Sequence, residues 1–326
     1  MQTVAVIGLG NIAKRHRSNL KHLFPDCKLL AMSASGRVPD ELVSNCDEIV
    51  TSIEEIILAN TELVVIASPA SLHVQHAIPL LNARIPTLIE KPISMSSSES
   101  QRIIDVSLTH SAPVAVGYCL RYLPSANYVK NALDKCLIGK IYNAYIETGQ
   151  YLPDWRPNID YRDSVSAQEN LGGGALLELS HELDYAQWLL GSLNLEHAIL
   201  RRSEELSLDV EDCVDIIFKN DAETVINIHM DMLQRKAYRK CRFVGSAGVL
   251  EWDLIGNSLK LIDSESETML YENPSWDKNQ MYLYMLEDFI NKIEGKCYSC
   301  VDINEAHQII ILIENIKSSY NQYQSN

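Results

Sequence analysis

The chain has 326 residues, 46% hydrophobic and 22% charged, with a formal net charge of −15. That length exceeds what one core usually supports, so two domains are expected. The negative balance argues against nucleic acid and anionic membrane surfaces as partners, and no window approaches the apolar length of a membrane span.

The N-terminus enters an apolar stretch directly and reads as lacking a secretory signal. The eight cysteines are scattered, and Cys297-x-x-Cys300 has no second pair to complete a zinc site. A reduced cytoplasmic location without a metal is therefore expected.

Over the first ~120 residues strand and helix signals alternate, the pattern of a parallel sheet covered on both faces. The run TVAVIG breaks at glycine and NIAKRHRSNLKHL has helical spacing. CKLLAMS is a second strand. SIEEIIL opens with Ser52 and Glu55, a capping box. ELVVIAS, PTLIE and PVAVGY continue the strands, with SLHVQHAIPLLNA and SSSESQRIIDVSLTH as the helices between.

After Tyr122 the rhythm changes. A helix, SANYVKNALDKC, precedes a long strand, KIYNAYIETGQY, and an irregular aromatic stretch, LPDWRPNIDYRDSVSAQENL. A glycine run leads into one helix, GGGALLELSHELDYAQWLLG. EDCVDIIFK, TVINIHMDML, RKCRFVG, GVLEWDL and SLKLID follow as consecutive strands, which favours an antiparallel sheet. Two helices are expected near 277–293 and 303–320. The division predicted is 1–121 for a dinucleotide-binding domain and 122–326 for the second.

Gly8-Leu9-Gly10-Asn11-Ile12-Ala13 has the form G-x-G-x-x-A between a strand and a helix. Gly8 permits the tight turn and Gly10 lets a pyrophosphate approach the backbone. Asn11 and Ile12 open the helix whose N-terminus faces the phosphates. No acid stands between Cys27 and Pro39 to take an adenosine ribose. Ser33, Ser35 and Arg37 occupy that region and suit a 2′-phosphate, so the chemistry favours NADP over NAD.

In a doubly wound sheet ligands bind beyond the carboxyl ends of the strands. Gly8, Ser68-Pro69, Glu90-Lys91-Pro92 and Gly117-Tyr118 all fall at such ends. Ser68, Pro69, Glu90 and Lys91 therefore join the expected cofactor set, and His73, further along SPASLH, is counted with them. Lys91 is aimed at the nicotinamide and substrate, where its charge stabilises a developing alkoxide. In the second half, Glu178, His181 and Asp184 lie three apart on the expected helix, and His181 is a candidate general acid/base. Tyr118, Arg121, Trp155, Arg156, Tyr161 and Arg162 are candidates for the substrate wall, the arginines suiting a carboxylate or phosphate.

With GLGNIA, IEKP and GGGALLELSHELD in this order, the chain resembles the Gfo/Idh/MocA oxidoreductases over nearly its whole length. The resemblance implies an α/β protein, with an N-terminal Rossmann domain and a C-terminal α+β domain. That second domain carries a mostly antiparallel open sheet that often mediates oligomerisation, so a homo-oligomer (dimer or tetramer) is implied.

The resemblance also makes Lys91 the catalytic lysine and His181 the residue that transfers the substrate hydroxyl proton. Where many members carry Asp four residues before that histidine, this chain has Leu177, with Glu178 three before. Glu178 and Asp184 are both candidates to partner His181. The function implied is NAD(P)-dependent hydride transfer on a secondary alcohol or ketone of a sugar or sugar nucleotide. YLPDWRPNIDYR is similar to members associated with surface-polysaccharide sugars. Competing readings are a dehydrogenase of the same fold acting on a non-sugar substrate, such as a cyclic diol, and a non-catalytic cofactor-binding regulator.

Overall fold

The structure, a computed structural model, describes residues 1–40 and 42–324, with side chains as far as Asn321. It divides into two compact units: Met1–Tyr118 with Tyr282–Ile311, and Cys119–Met281 with the chain from Leu312 onward.

The first unit runs β1 (Thr3–Ile7), α1 (Asn11–Leu23), β2 (Lys28–Met32), β3 (Glu48–Val50), α2 (Ile53–Leu58), β4 (Leu63–Ile66), α3 (His73–Asn82), β5 (Thr87–Ile89), α4 (Ser97–His110) and β6 (Val114–Val116). The strands form one parallel sheet in the order β3-β2-β1-β4-β5-β6. The order reverses between β1 and β4, the switch point where such sheets bind ligands. Val4–Ile7 and Leu63–Ile66 are fully buried, as parallel strands covered on both faces should be. Ser52 caps α2 by accepting from the Glu55 N–H, and Ser96 caps α4 through Glu99 in the same way.

The second unit holds α5 (Pro124–Asp134), β7 (Ile141–Gly149), α6 (Leu152–Trp155), α7 (Ala175–Glu178), α8 (His181–Leu190), β8 (Asn194–Arg201), β9 (Cys213–Lys219), β10 (Val225–Asp231), β11 (Tyr238–Gly245), β12 (Val249–Asp253), β13 (Ser258–Ile262) and β14 (Glu267–Glu272). These strands form an open sheet, β14-β13-β12-β11-β7-β10-β9-β8, antiparallel except where β7 pairs with β10. One face is apolar: Ile146, Ile216, Phe218, Ile228, Met230, Phe243 and Trp252 are buried. Tyr185 of α8 packs edge-on against Trp252, at 5.3 Å between ring centroids. The chain ends in α9 (Gln280–Ile293) and α10 (Ile303–Gln324).

Three features depart from the sequence-based expectation. The helix expected through GGGALLELSHELD is two helices, broken at Leu179–Ser180, so Glu178 and His181 do not share a helical stripe. Strands β3, β8 and β14 carry too few buried residues to announce themselves. And 282–311 belongs with the first unit. The Val116 N–H bonds the Val301 carbonyl, Lys292 Nζ donates to the Val114 carbonyl at 2.8 Å, and Ser100 Oγ meets His307 Nδ1 at 2.7 Å. Among the described residues no helix is long and apolar enough to cross a membrane.

Candidate active site

At the β1–α1 turn Gly8 has φ +116°, and a Cβ there would stand 2.4 Å from the Ala67 carbonyl oxygen. Only glycine lets β1 end this close to β4. A Cβ on Gly10 would meet nothing within 4 Å, so open space lies above that residue. The α1 N-terminus has no side-chain cap and no acid in its first turn. Its N–H groups and dipole therefore suit an anion, and the turn fits the pyrophosphate of a dinucleotide. Gly10 and Asn11 are exposed and Ile12 partly so. Arg17, buried one turn further on, donates to the Gly8 carbonyl at 3.3 Å and to the Ser44 carbonyl at 2.9 Å. Burial lowers its pKa. Beyond β2, Ser33 is buried and its hydroxyl donates to the Arg37 carbonyl at 2.7 Å, while Ser35 and the Arg37 side chain are exposed.

The carboxyl ends of β4, β5 and β6 lie side by side. Glu90, just past β5, is 8% exposed; its Oε1 accepts from His16 Nε2 at 2.6 Å and its Oε2 from the Lys91 N–H at 3.2 Å. A Cβ on Gly117 would lie 2.9 Å from that second oxygen, so glycine after β6 leaves room for the carboxylate. The Lys91–Pro92 bond is cis, and Lys91 itself is part-buried. His73 offers no nitrogen to a cofactor: Nδ1 lies 2.9 Å from the Pro92 carbonyl and Nε2 2.9 Å from the Ser68 carbonyl. Burial pushes its pKa down against the pull of both carbonyls and Glu90, so the neutral ring donates to one carbonyl at a time. His76 contacts Ser68 Oγ at 3.0 Å and is driven down to about 4 by burial, then by His73.

In the second unit His181 begins α8 and is buried. Asp184, one turn on and 1% exposed, is gripped by Arg121 through two bonds, Nε to Oδ2 at 3.1 Å and Nη2 to Oδ1 at 2.7 Å. Arg121 also lies over the Trp188 ring. Asp184 and Arg121 thus meet each other, which occupies the guanidinium expected to face substrate. Between His181 and Asp184, fully buried Glu182 accepts two bonds from Arg239, at 2.7 and 2.9 Å, and a third from the Tyr185 hydroxyl. Tyr118 is also fully buried.

Trp155, Arg156 and Tyr161 converge with Leu152 and Ser164 around a crevice of only about 10 Å³, room for one water and not for a sugar. Trp155 Nε1 donates to the Gln150 carbonyl and the Tyr161 hydroxyl to the Leu206 carbonyl. Arg162 lines a separate 530 Å³ cavity with Gln168, Ser207 and Asp209.

Sequence reasoning missed His16, Arg17, His76, Glu182 and Arg239. His16 and Arg17 were accessible: Ala13, His16 and Leu20 share a face at helical spacing, and that face is buried. The others choose partners from distant segments. Also missed was His229, which donates to Asp215 at 2.6 Å and to Asp231 at 2.9 Å. The bond to Asp231 outweighs burial and, with Asp215, raises His229 to about 9. Burial pushes Asp231 up, but His229, Gln234 and two backbone N–H groups hold it below the usual carboxylate range. Cys213 has ligand atoms within 4.8 Å of those of Asp215 and His229. Burial raises that thiol to about 11 and His229 is a cation, so two of the three groups are in their non-ligating forms.

Comparison with known proteins follows the same two-part division. The model of the Gfo/Idh/MocA oxidoreductase family with NAD-binding Rossmann fold matches residues 2–118, and that of the Gfo/Idh/MocA C-terminal domain matches 126–251. The uncharacterized oxidoreductase sll0816 of Synechocystis is 30% identical over 186 residues, 52% of this chain and 49% of its own length. The chain thus spans about half of that relative. Levoglucosan dehydrogenase in complex with NADH and levoglucosan superposes with a TM-score of 0.85 at 18% identity, covering 98% of this chain and 97% of the other. The WlbA dehydrogenase of Bordetella pertussis, with NADH and UDP-GlcNAcA, superposes with a TM-score of 0.83 at 18% identity over the same shares.

Proposed function

Since the chain belongs to the Gfo/Idh/MocA oxidoreductase family, with an NAD-binding Rossmann fold, we propose that it is a dehydrogenase acting on a ring secondary alcohol of a sugar or sugar nucleotide. The observation that carries this reading is Lys91 at the end of β5, on the sheet whose β1–α1 turn is built for a pyrophosphate. When bound, the nicotinamide accepts the hydride. Lys91 holds the reacting oxygen and stabilises the charge that gathers there as C–H is cleaved. His181 accepts the hydroxyl proton in oxidation and returns it in ketone reduction.

Support for a sugar comes from similar structures that hold levoglucosan or UDP-GlcNAcA. For the adenosine end we favour NADP, because the β2 end lacks an acid and exposes Ser35 and Arg37. The NADH in those structures weighs on the other side, so the ratio of the two cofactors' efficiencies tests this part. Tyr145, Ile217 and Met269, exposed among the charges of the open sheet face, support self-association, which light scattering tests.

The test is a panel of sugars, anhydrosugars, UDP-sugars and cyclic diols, followed by the absorbance of the reduced nicotinamide. With an accepted substrate, Lys91→Ala and His181→Ala should each lower kcat by about 10²-fold or more. Unchanged turnover in Lys91→Ala, or cofactor binding without turnover on any alcohol, overturns the reading.

A further inference from the structure

Lys91 stands between two residues that buried histidines hold. Before it, the Glu90 carboxylate accepts from His16 at 2.6 Å and from the Lys91 N–H at 3.2 Å. After it, the Pro92 carbonyl lies 2.9 Å from His73 Nδ1. The two histidines come from different helices, α1 and α3, and are 0% and 1% exposed. Among the described residues His16 Nδ1 has no hydrogen-bond partner. The fold therefore carries a buried, half-satisfied imidazole whose single polar contact is Glu90. A phenylalanine would fill such a site without that cost. The close fit of Gly117 against Glu90 points the same way, since any side chain there displaces the carboxylate.

A lysine ammonium rides on a flexible four-carbon stem, so its placement depends on how firmly the backbone beneath it is held. We propose that His16 and His73 are positioning residues for Lys91, bracketing its backbone through Glu90 and Pro92. His16 also ties that backbone to α1, the helix that begins at the glycine turn. The inference rests on the role of Lys91 given above, but it can fail separately.

The experiment uses the full chain and the variants His16→Phe, His73→Phe and Gly117→Ala. The last moves Glu90 without touching a histidine, and its backbone is outside the left-handed region. Competitive trace acetylation, read by mass spectrometry, gives the reactivity of the Lys91 amine against the exposed Lys135 and Lys278, with no substrate needed. Melting temperature, NADPH and NADH affinity and turnover on any accepted alcohol are measured alongside.

Lys91 reactivity should rise severalfold in all three variants while the reference lysines stay unchanged. Turnover should fall about tenfold with the cofactor KM held, since small misplacements act on kcat. Unchanged Lys91 reactivity and kcat in variants that melt like the parent would reduce the histidines to packing. Should the histidine variants fail to fold, Gly117→Ala decides alone. Full turnover in Lys91→Ala would sink the proposed function, whereas loss there with full turnover in the other three would sink only this inference.

Discussion

Two buried histidines of the first unit and the ion pairs of the second are satisfied in opposite ways, while His16, which meets the Glu90 carboxylate, stands outside that contrast. In the first, His73 and His76 are enclosed and face neutral partners, a pair of carbonyls and a hydroxyl. Burial wins, and both are held below the ordinary histidine range. In the second, cations meet carboxylates: Arg239 with Glu182, Arg121 with Asp184, and His229 between Asp215 and Asp231. There attraction wins, and His229 is raised to about 9. The residue type does not set its charge; the partners' charge and access to water do.

The largest expected effect comes from breaking the pair whose carboxylate is wholly buried. Glu182→Gln leaves Arg239 without its counter-charge and should destabilise the protein by about 3–5 kcal/mol. Replacing both residues by leucine should recover most of that loss. Denaturant unfolding of the single and double variants checks this, and additive losses would contradict it.

Next is the acid limb. His76 is about 4 when folded against an ordinary 6.5, so between those values the unfolded chain binds a proton that the folded chain does not. Stability should be complete above pH 6.5 and fall as pH drops toward about 4, by at most about 3 kcal/mol. His76→Leu should flatten this part of the profile, and an unchanged slope would remove His76 from the account.

The smallest effect has the opposite sign. His229 is raised, so its contribution is complete below pH 6.5 and is lost as pH climbs through about 9. About a third of the side chain is exposed, which screens the pair to about 1–2 kcal/mol. The groups facing it are Asp215, itself paired with Arg201, and Asp231, which also accepts from Gln234; Glu147 is its register neighbour on β7. His229→Gln should erase the alkaline limb and leave the acid limb intact. A ring proton titration of His229 centred near 6.5 would contradict the assignment.

Much of the first unit was legible because its signals are local. The glycine turn, the capping box at Ser52 and the apolar strands can each be read within a few residues. The second sheet was legible as consecutive strands, though not β8 or β14, whose exposed edges show little alternation. The break between α7 and α8 was not, because LELSHELD keeps helical spacing across it. Site residues followed the same division. Gly8 and Gly10 were named from the G-x-G-x-x-A pattern and Lys91 from its place at a strand end, whereas Asp184 as a partner of Arg121, 63 positions away, could not be.

Sequence alone determined the two-part architecture, the glycine turn and the lysine at the end of the fifth strand, since periodicity, turn chemistry and strand termination act over short stretches of chain. Tertiary structure alone decided that His16 meets Glu90 across 74 residues, that Arg239 meets Glu182 across 57, and that 282–311 returns to the first unit. The reason is desolvation. A buried charge or imidazole takes whatever complement the folded chain brings near, and that choice is made in space rather than along the chain.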